Sequence, residues 1–357
     1  MSMISPECRP LLIGSLPMAD HGKATDLIFD YTPEFPLWPQ LPKYKEEGMI
    51  VQYLEGFPCV AECDGKIFID GASSLFDAEI LSFYEEYLMI AEADGALDGS
   101  RFELTQKTAK GFFTFLDTAR KRKGDFISLK GQTTGPVTFC MGLVDQDNRA
   151  IFYDDQLRDI AIKHIALKAR WQTKKMAEIC SQPIMFFDEP GLAGLGSSAY
   201  ITVTQEDIVA CLGEVFAGVK EENGLTGVHV CANTEWPVLF DAGVDIISFD
   251  AYSYFDRLVL YADKLVEFFA RGGFLASGIV PTSPEFIEKE TVDGLVEKWF
   301  KQCGQLVALG IAEDVVYKQS FITPSCGTGA VTFEQAKRVL ELTQGVSKKI
   351  RTRLAGN

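Results

Sequence analysis

Short apolar runs alternate with amphipathic segments of helical length along most of the chain. The runs that predict buried strands are Leu11–Gly14, Phe126–Gly131, Pro183–Phe187, Gly227–Cys231, Asp245–Asp250, Gly273–Val280 and Val315–Gln319. The segments that predict the longer helices are Asp154–Ile179, Gln205–Glu221, Phe255–Arg271, Val292–Leu309 and Phe333–Ser347. This alternation predicts parallel βαβ units, and the nearly continuous apolar strands predict a sheet covered on both faces.

A single (β/α)8 TIM barrel spanning residues 1–357 fits this α/β alternation best. The strand-like runs supply all but one of the eight strands that such a barrel needs. We expect the missing strand between Val51 and Asp70, although Pro58–Ala61 and Lys66–Ile69 in that stretch also fit a hairpin inserted into the barrel. An open doubly wound sheet is the alternative, and the absence of a Gly-x-Gly-x-x-Gly motif after a strand argues against it.

Charge and cysteine content exclude several classes of protein. The chain has 34 Lys and Arg against 50 Asp and Glu, a net charge of −16, so it lacks the basic footprint that nucleic-acid phosphates require. It has no apolar stretch long enough to span a membrane and no signal peptide in Met1–Pro10, so we expect a cytoplasmic protein. Its nine cysteines are too sparse for a disulfide scaffold, and most should be buried.

A histidine and a cysteine on one predicted strand are the first candidates for chemistry. Of the three histidines, His164 lies in a periodic helix, which favours a solvated or packed residue, and His21 follows a predicted strand end. His229 precedes Cys231 by two residues, and strand alternation points both side chains to one face. Imidazole and thiolate are good zinc ligands, and a tetrahedral site needs one or two more. A buried cysteine beside a hydrogen-bonded histidine is the alternative.

Two further residues complete a candidate metal site. Cys326 follows the last predicted strand in Thr323–Gly327, and Asp250 ends the strand after the one with His229 and Cys231. Barrel enzymes place their chemistry at the carboxyl ends of the strands. The shared position of these four residues therefore favours a zinc site.

Candidate substrate-binding residues end two other predicted strands. Asp188 and Glu189 are adjacent carboxylates that point to opposite faces of an extended chain, so at most one faces the barrel mouth. That one could be an acid–base group or an anchor for an amino group, and a helix cap or loop salt bridge is the alternative. Gly14 and Ser15 leave backbone amides open to a ligand carboxylate, or form an ordinary tight turn.

Several short segments, taken together and in order, resemble the catalytic half of cobalamin-independent methionine synthase, in the superfamily that also holds uroporphyrinogen decarboxylase. The segments are Ile13–Pro17, Lys130–Thr138, Phe187–Pro190, His229–Cys231, Asp245–Asp250 and Pro324–Gly327. The resemblance implies a zinc-dependent methyltransferase on a (β/α)8 barrel. Its acceptor would be a small-molecule thiol, homocysteine in that family, bound to Zn²⁺ as a thiolate.

The resemblance also implies roles for individual residues. Three residues match the family's zinc-binding histidine and cysteines: His229, Cys231 and Cys326. Asp250 stands where the family has a fourth, glutamate ligand, and being shorter it would ligate less directly or leave the site more open. Ser15 and Asp188 match the residues that hold the amino-acid acceptor.

Two departures from the family pattern concern the methyl donor. The chain has room for one barrel only, whereas the family uses a second, N-terminal barrel to help bind a polyglutamylated folate. Phe139–Gly142 also replaces the family's aromatic Asn-Trp-Ser-Phe segment. We therefore expect a methylated corrinoid on a carrier protein as donor. The alternatives are transfer to another thiol such as coenzyme M, a porphyrinogen-type decarboxylase, and a carrier-binding protein with a structural zinc.

Overall fold

A six-stranded parallel sheet, in which neighbours in the sequence are also neighbours in the sheet, forms the centre of the protein. The computed structural model describes residues 4–92, 95–197, 200 and 202–356. The strands of this sheet are β3 (Lys130–Thr134), β4 (Ile184–Asp188), β5 (Leu225–Val230), β6 (Ile246–Phe249), β7 (Phe274–Val280) and β8 (Ser320–Pro324). Almost every residue in them is buried, so the sheet is covered on both faces, as predicted.

The α-helices of the described ranges are α1 (His21–Tyr31), α2 (Phe76–Glu92), α3 (Lys110–Lys121), α4 (Pro136–Gly142), α5 (Asp155–Ala177), α6 (Gln205–Glu221), α7 (Pro237–Asp241), α8 (Ala251–Leu258), α9 (Ala262–Ala270), α10 (Pro284–Lys289), α11 (Val292–Ala308), α12 (Glu313–Lys318) and α13 (Phe333–Ala355). Helices α4 to α12 lie between successive strands of the sheet, α1 to α3 precede it and α13 follows it. Capping boxes at Thr204 and Thr332 fix the starts of α6 and α13. Within the described ranges, every helix is too short or too polar to cross a lipid bilayer.

Two irregular N-terminal segments, residues 9–15 and 36–40, continue the hydrogen bonding beyond the edges of the sheet. Parallel bridges join Pro10 to Ile322 in β8, Leu37 to Lys130 in β3, and Ser15 to Gln40 between the two segments. Backbone pairing therefore runs from β3 through both segments to β8. The second segment, residues 36–40, lies beside β3. The expectation that a strand within Val51–Asp70 would join this sheet was therefore wrong. Prolines at positions 36, 39 and 42 remove backbone donors and prevent a regular strand in the second segment.

The stretch from Val51 to Asp70 contains the hairpin that was the other interpretation of its sequence. Strands β1 (Val60–Cys63) and β2 (Lys66–Ile69) pair antiparallel. They belong to an insertion that also carries α2, and they lie outside the strand order of the main sheet. Helix α2 contacts α5 through Tyr84 and Asp159.

Apolar side chains on the inner face of the sheet form a packed layer: Ile4, Leu11, Phe35, Ile184, Phe186, Ile246, Phe274, Ala276 and Phe321. They come from the strands and from the first 35 residues of the chain. Because alternate strand residues share a face, the next inward-facing position after Phe186 in β4 is Asp188. Polar side chains therefore lie above this layer, at the carboxyl ends of the strands.

Several predicted elements differ from the structure. Leu11–Gly14, predicted as the first strand, has irregular backbone between the isolated bridges of Pro10 and Ser15, and Phe126–Gly131 overlaps β3 only at Lys130 and Gly131.

Val315–Gln319, predicted as the last strand, is mostly helical in α12, and β8 begins at Ser320. Its apolar, β-branched composition is typical of a strand, but a Lys318–Asp314 pair one helical turn apart supports the helix. The predicted helix Phe255–Arg271 is divided into α8 and α9, with Tyr261 in a non-helical backbone conformation between them.

Candidate metal centre

Three of the predicted zinc ligands converge at the carboxyl ends of β5 and β8. The ligand atoms of His229, Cys231 and Cys326 all lie within 4.8 Å of one another. Strand β5 brings the first two together because His229 and Cys231 are two residues apart on one face, and Cys326 enters from the loop after β8. One imidazole and two thiols at this spacing form a donor set that zinc accepts, with a coordination position left for another ligand.

His229 is arranged as a neutral ligand with one free nitrogen. Its Nδ1 lies 2.9 Å from Ser248 Oγ in the neighbouring strand β6, while its Nε2 is buried without a hydrogen-bond partner among the described residues. Burial, together with the charge of Lys130, lowers the pKa of His229 to about 3. A neutral ring oriented through one nitrogen is the form in which histidine binds a metal through the other, so these residues fit a zinc ion.

The two cysteines form a close pair of thiols. A hydrogen bond from Cys326 lowers the pKa of Cys231 to about 7 against the effect of burial, and the same bond, together with burial, raises the pKa of Cys326. A bound cation would favour both as thiolates. Most of the other cysteines are buried as expected: Cys8, Cys59, Cys140, Cys180, Cys211 and Cys303.

Asp250, the fourth predicted ligand, lies outside this group within the described part of the chain. Its carboxylate accepts a hydrogen bond from the backbone N–H of Ser253 at 2.9 Å and caps the N-terminus of α8. An aspartate is a favoured residue at this position because it satisfies an N–H group that the helix leaves free. The short side chain is therefore engaged locally.

A pocket of about 330 Å³ lies beside the three converging side chains. Its wall includes Ser15, Thr134 and two carboxylates, Asp188 and Glu47. Among the residues that the structure describes, no lysine or arginine lines it. The charge of the wall therefore favours a ligand that carries a cationic group over one that carries an anionic group.

Asp188 and Glu189 point in opposite directions, as their adjacency in the sequence predicted. Asp188 lines the pocket, and its Oδ1 is buried with no hydrogen-bond partner within the described ranges. Glu189 accepts hydrogen bonds from the backbone N–H groups of Val137 and Thr138, at 2.9 and 2.7 Å, and from the Thr138 hydroxyl at 2.6 Å. Glu189 thus stabilises the first turn of α4, away from the pocket wall where its predicted substrate-binding role would place it.

Ser15 connects the N-terminal segment to the loop after β8. Its Oγ accepts a hydrogen bond from Gly329 N–H at 3.1 Å, and its carbonyl accepts one from Thr328 N–H at 3.0 Å. Gly14 lies behind it, where a Cβ atom would come within 2.9 Å of Gln40 Oε1. Glycine there permits the close approach of the two N-terminal segments, and the residue does not itself line the pocket.

Two charged residues of this region, Glu47 and Lys130, have no role predicted from the sequence. Glu47 is buried in the pocket wall, with Oε1 2.5 Å from His21 Nε2 and the other oxygen accepting from Leu41 N–H at 2.7 Å. Its Lys-Glu-Glu context resembles a solvated turn and gave no signal. Lys130 lies fully buried in β3, and a single charge in a strand covered on both faces was a usable signal.

Comparisons with known proteins identify a fold but no family. No protein-family profile and no curated protein matches the chain. A methyltransferase from Methanosarcina mazei superposes with a TM-score of 0.54 at 15% identity, covering 94% of this chain and 85% of that one. Two structures of a pneumococcal exo-beta-D-N-acetylglucosaminidase give TM-scores of 0.45 and 0.46 at 11% identity, covering 96% of this chain and 85% and 84% of theirs. At such identities the first likeness shows a shared α/β architecture only.

Proposed function

We propose that this protein is a zinc-dependent methyltransferase that transfers a methyl group to a thiol, with homocysteine as the acceptor. The observation that carries the proposal is the convergence of His229, Cys231 and Cys326 within 4.8 Å beside a pocket of substrate size. The fold shared with a methyltransferase supports it at the level of architecture. The proposal includes closure of the sheet into a (β/α)8 barrel through residues 9–15 and 36–40.

A zinc ion held by these three side chains would take the acceptor thiol as its fourth ligand and keep it as a thiolate, the nucleophilic form. The metal would matter here because a free thiol, with a pKa of about 8.5, is mainly protonated at neutral pH. His229, neutral and oriented by Ser248, supplies the uncharged member of the set. The two cysteines supply the charge that balances the metal.

The pocket wall favours an acceptor with an amino group. Asp188 offers a buried carboxylate oxygen without a partner among the described residues, at the position where an ammonium group would be bound. Ser15 and Cys326 also line the pocket, and in this proposal the Ser15 segment holds the carboxylate end of the acceptor. The same wall does not favour coenzyme M, whose sulfonate would need a cationic partner, or a porphyrinogen, whose several carboxylates would need more than one.

The methyl donor in this proposal is a methylated corrinoid on a carrier protein. The donor must bring its methyl carbon to roughly 3–3.5 Å from the acceptor sulfur, so the pocket mouth has to admit a broad ring. Met49, 47% exposed at the pocket wall, provides an apolar edge on which such a ring can rest. Because Phe139–Gly142 replaces the family's aromatic Asn-Trp-Ser-Phe segment, transfer from methylcobalamin should be faster than transfer from methyltetrahydrofolate.

The proposal is tested by metal analysis combined with a transfer assay. Protein purified anaerobically and supplied with zinc should retain about one zinc ion per chain, as expected for a single site of this type. It should methylate homocysteine from methylcobalamin. A Cys63→Ser variant, which alters an exposed cysteine outside the site, is the matched control for cysteine variants. Zinc-free protein after this treatment would overturn the metal assignment. Turnover with methyltetrahydrofolate, but with neither methylcobalamin nor a methylated corrinoid protein, would overturn only the assignment of the donor.

A further inference from the structure

Helix α2 of the insertion is apolar on its outward side as well as on the side that packs against the protein. Its inward side chains Ile80, Phe83 and Ile90 are buried. Its outward apolar residues form what we call the outer stripe: Leu75, Ala78, Leu81, Leu88 and Met89. The four large side chains of the outer stripe are between 46% and 64% exposed. A helix that is apolar on all sides is typical of one that is covered on all sides, so the outer stripe has the composition of a contact surface.

The outer stripe has the spacing of a helical contact seam. Leu75 precedes the first residue of α2, and its carbonyl accepts a hydrogen bond from the Glu79 N–H at 2.9 Å. The outward positions 75, 78, 81, 85 and 88 follow one another at intervals of three or four residues, which places them along one side of the helix. The stripe therefore extends for roughly 20 Å, about four helical turns.

A groove of about 430 Å³ adjoins the outer stripe. Leu75 and Ala78 line it on one side, and the loop at residues 56–58 lines it on the other. This loop cannot move closer to α2 by a simple change of residue, because a Cβ atom at Gly56 would lie 2.1 Å from the Arg101 carbonyl oxygen. The groove is thus a fixed feature of the fold.

The charged side chains in the groove wall have partners within the protein. Glu79 accepts a hydrogen bond from the Cys59 N–H at 2.6 Å. Arg101 donates one to Glu86 at 2.7 Å and another to Ser82 Oγ at 3.0 Å. A ligand in the groove would therefore gain mainly apolar contacts, because these polar groups are already satisfied.

The charges beside the outer stripe determine which occupant it suits. Asp77 and Glu85 are exposed next to the stripe, and the sequence from Phe76 to Glu92 contains no lysine or arginine. A second copy of the chain would bring the same carboxylates close to one another, which costs free energy. The anionic headgroups of a membrane would be repelled for the same reason. A partner that carries lysine or arginine beside apolar side chains is the complement.

We propose that the outer stripe and the adjoining groove form a docking surface for another protein, which contributes an amphipathic helix with large apolar side chains flanked by lysine or arginine. The apolar face of this helix lies against the outer stripe, as in other helix-in-groove complexes. Asp77 and Glu85 attract its basic residues and favour one orientation. The docking surface does not depend on the proposed methyl transfer.

A peptide of defined composition tests this surface on the whole protein. The probe is a fluorescent amphipathic helix of leucine and lysine of about four turns, and its twin has glutamate in place of every lysine. Fluorescence anisotropy should show binding of the leucine–lysine peptide only. Leu81→Ser/Leu88→Ser should weaken this binding on the order of 10-fold, as for central residues of an interface. Asp77→Asn/Glu85→Gln should weaken it less and reduce its dependence on salt.

A matched variant separates this surface from general attraction to an acidic protein. Leu260 is 70% exposed outside α2, and Leu260→Ser should bind the leucine–lysine peptide like the wild type. Because the substituted side chains are exposed, all these variants should keep the wild-type melting temperature. No binding by the wild type, or equal binding by wild type and Leu81→Ser/Leu88→Ser, would overturn the proposal.

Two further measurements test the other occupants. Analytical ultracentrifugation should give the same molar mass for wild type and Leu81→Ser/Leu88→Ser, and a wild-type dimer that this variant dissociates would assign the surface to a second copy instead. Sedimentation with phosphatidylcholine vesicles should leave both proteins in the supernatant. Vesicle binding that Leu81→Ser/Leu88→Ser abolishes would assign the surface to a membrane and overturn the proposal.

Discussion

Two buried histidines, His229 in the pocket and His164 under the insertion, are alike in their lowered pKa and in their hydrogen bonding, but they differ in their surroundings. Burial lowers the pKa of both. In both rings one nitrogen has a partner, Ser248 Oγ for His229 and the Tyr53 carbonyl, 2.7 Å away, for His164. The other nitrogen of each is buried with no partner among the described residues.

The neighbours decide what each histidine can do. Four phenylalanine rings surround the imidazole of His164, with centroids 5.4 to 6.4 Å away: Phe57, Phe83, Phe102 and Phe139. His229 instead faces two thiols and an open pocket. A free buried nitrogen is thus insufficient evidence for a metal ligand, and the second and third donor atoms provide that evidence.

The largest effect should follow from removing one thiol of the site. Cys231→Ser or Cys326→Ser should weaken zinc binding by more than about 100-fold, because even changes to groups behind a ligand cost 10–100-fold. Methyl transfer should fall in proportion, and the apo proteins should keep their fold because the packed core does not involve the metal. Zinc titration and circular dichroism on both variants, beside Cys63→Ser, measure this. Full zinc affinity in either variant would remove that cysteine from the site.

Substituting the two histidines should give opposite results. His164→Ala opens a cavity among aromatic rings and should lower the free energy of unfolding by about 3 kcal/mol, in the range for large-to-small changes in a core, without affecting zinc content. His229→Ala should lose zinc while changing the stability of the apo protein far less. Urea unfolding of the apo proteins and metal analysis of both variants separate the two effects. If His164→Ala lost zinc while His229→Ala kept it, the assignment of His229 as the metal ligand would be wrong.

A smaller effect is expected from the anchor in the pocket. Asp188→Asn should weaken binding of homocysteine by about 2 kcal/mol, within the range for a hydrogen bond to a charged group. Binding of 4-mercaptobutyrate should change less, because it has no amino group. Equal affinity of wild type and variant for homocysteine would remove Asp188 from acceptor binding.

The last prediction, in which zinc and acceptor binding should not change, concerns the region around His164. Lys168 is fully buried there, donating hydrogen bonds to the carbonyls of Arg101 and Glu103 at 3.4 and 3.2 Å, and burial lowers its pKa from 10.5 to about 7. Between these two values the unfolded chain binds a proton that the folded protein has released. The free energy of unfolding should therefore rise with pH above 7, by at most about 1.4 kcal/mol per unit.

Comparison with Lys168→Met isolates this contribution. The variant should lack the rise between pH 7 and 10, as measured by urea unfolding at several pH values. Identical slopes in the two proteins would show that Lys168 stays protonated in the folded state.

The sequence predicted the features that depend on local pattern. The apolar runs predicted strands β4 to β7, and the segments Pro58–Ala61 and Lys66–Ile69 predicted the hairpin. The His-x-Cys spacing together with Cys326 predicted the cluster of three donors. Strand alternation also separated Asp188 from Glu189. These features follow from side-chain periodicity, which is visible in a single sequence.

Features that depend on tertiary contacts could not be predicted. The segment at residues 36–40 pairs with β3 despite its prolines, because the Lys130 N–H donates a hydrogen bond to the Pro36 carbonyl. Helix α12 forms in a run whose composition favours a strand. Asp250 caps α8, and its carboxylate lies outside the cluster of three donors that its sequence position suggested it would join.

The most direct test of the central claim is X-ray absorption at the zinc edge of the loaded protein, with and without homocysteine. We expect two sulfur ligands at about 2.3 Å and one nitrogen at about 2.0 Å without the acceptor, and a third sulfur at about 2.3 Å when homocysteine is added. That result would place the acceptor thiol on the metal. An unchanged zinc environment in a protein that methylates homocysteine would contradict activation of the thiol at His229, Cys231 and Cys326.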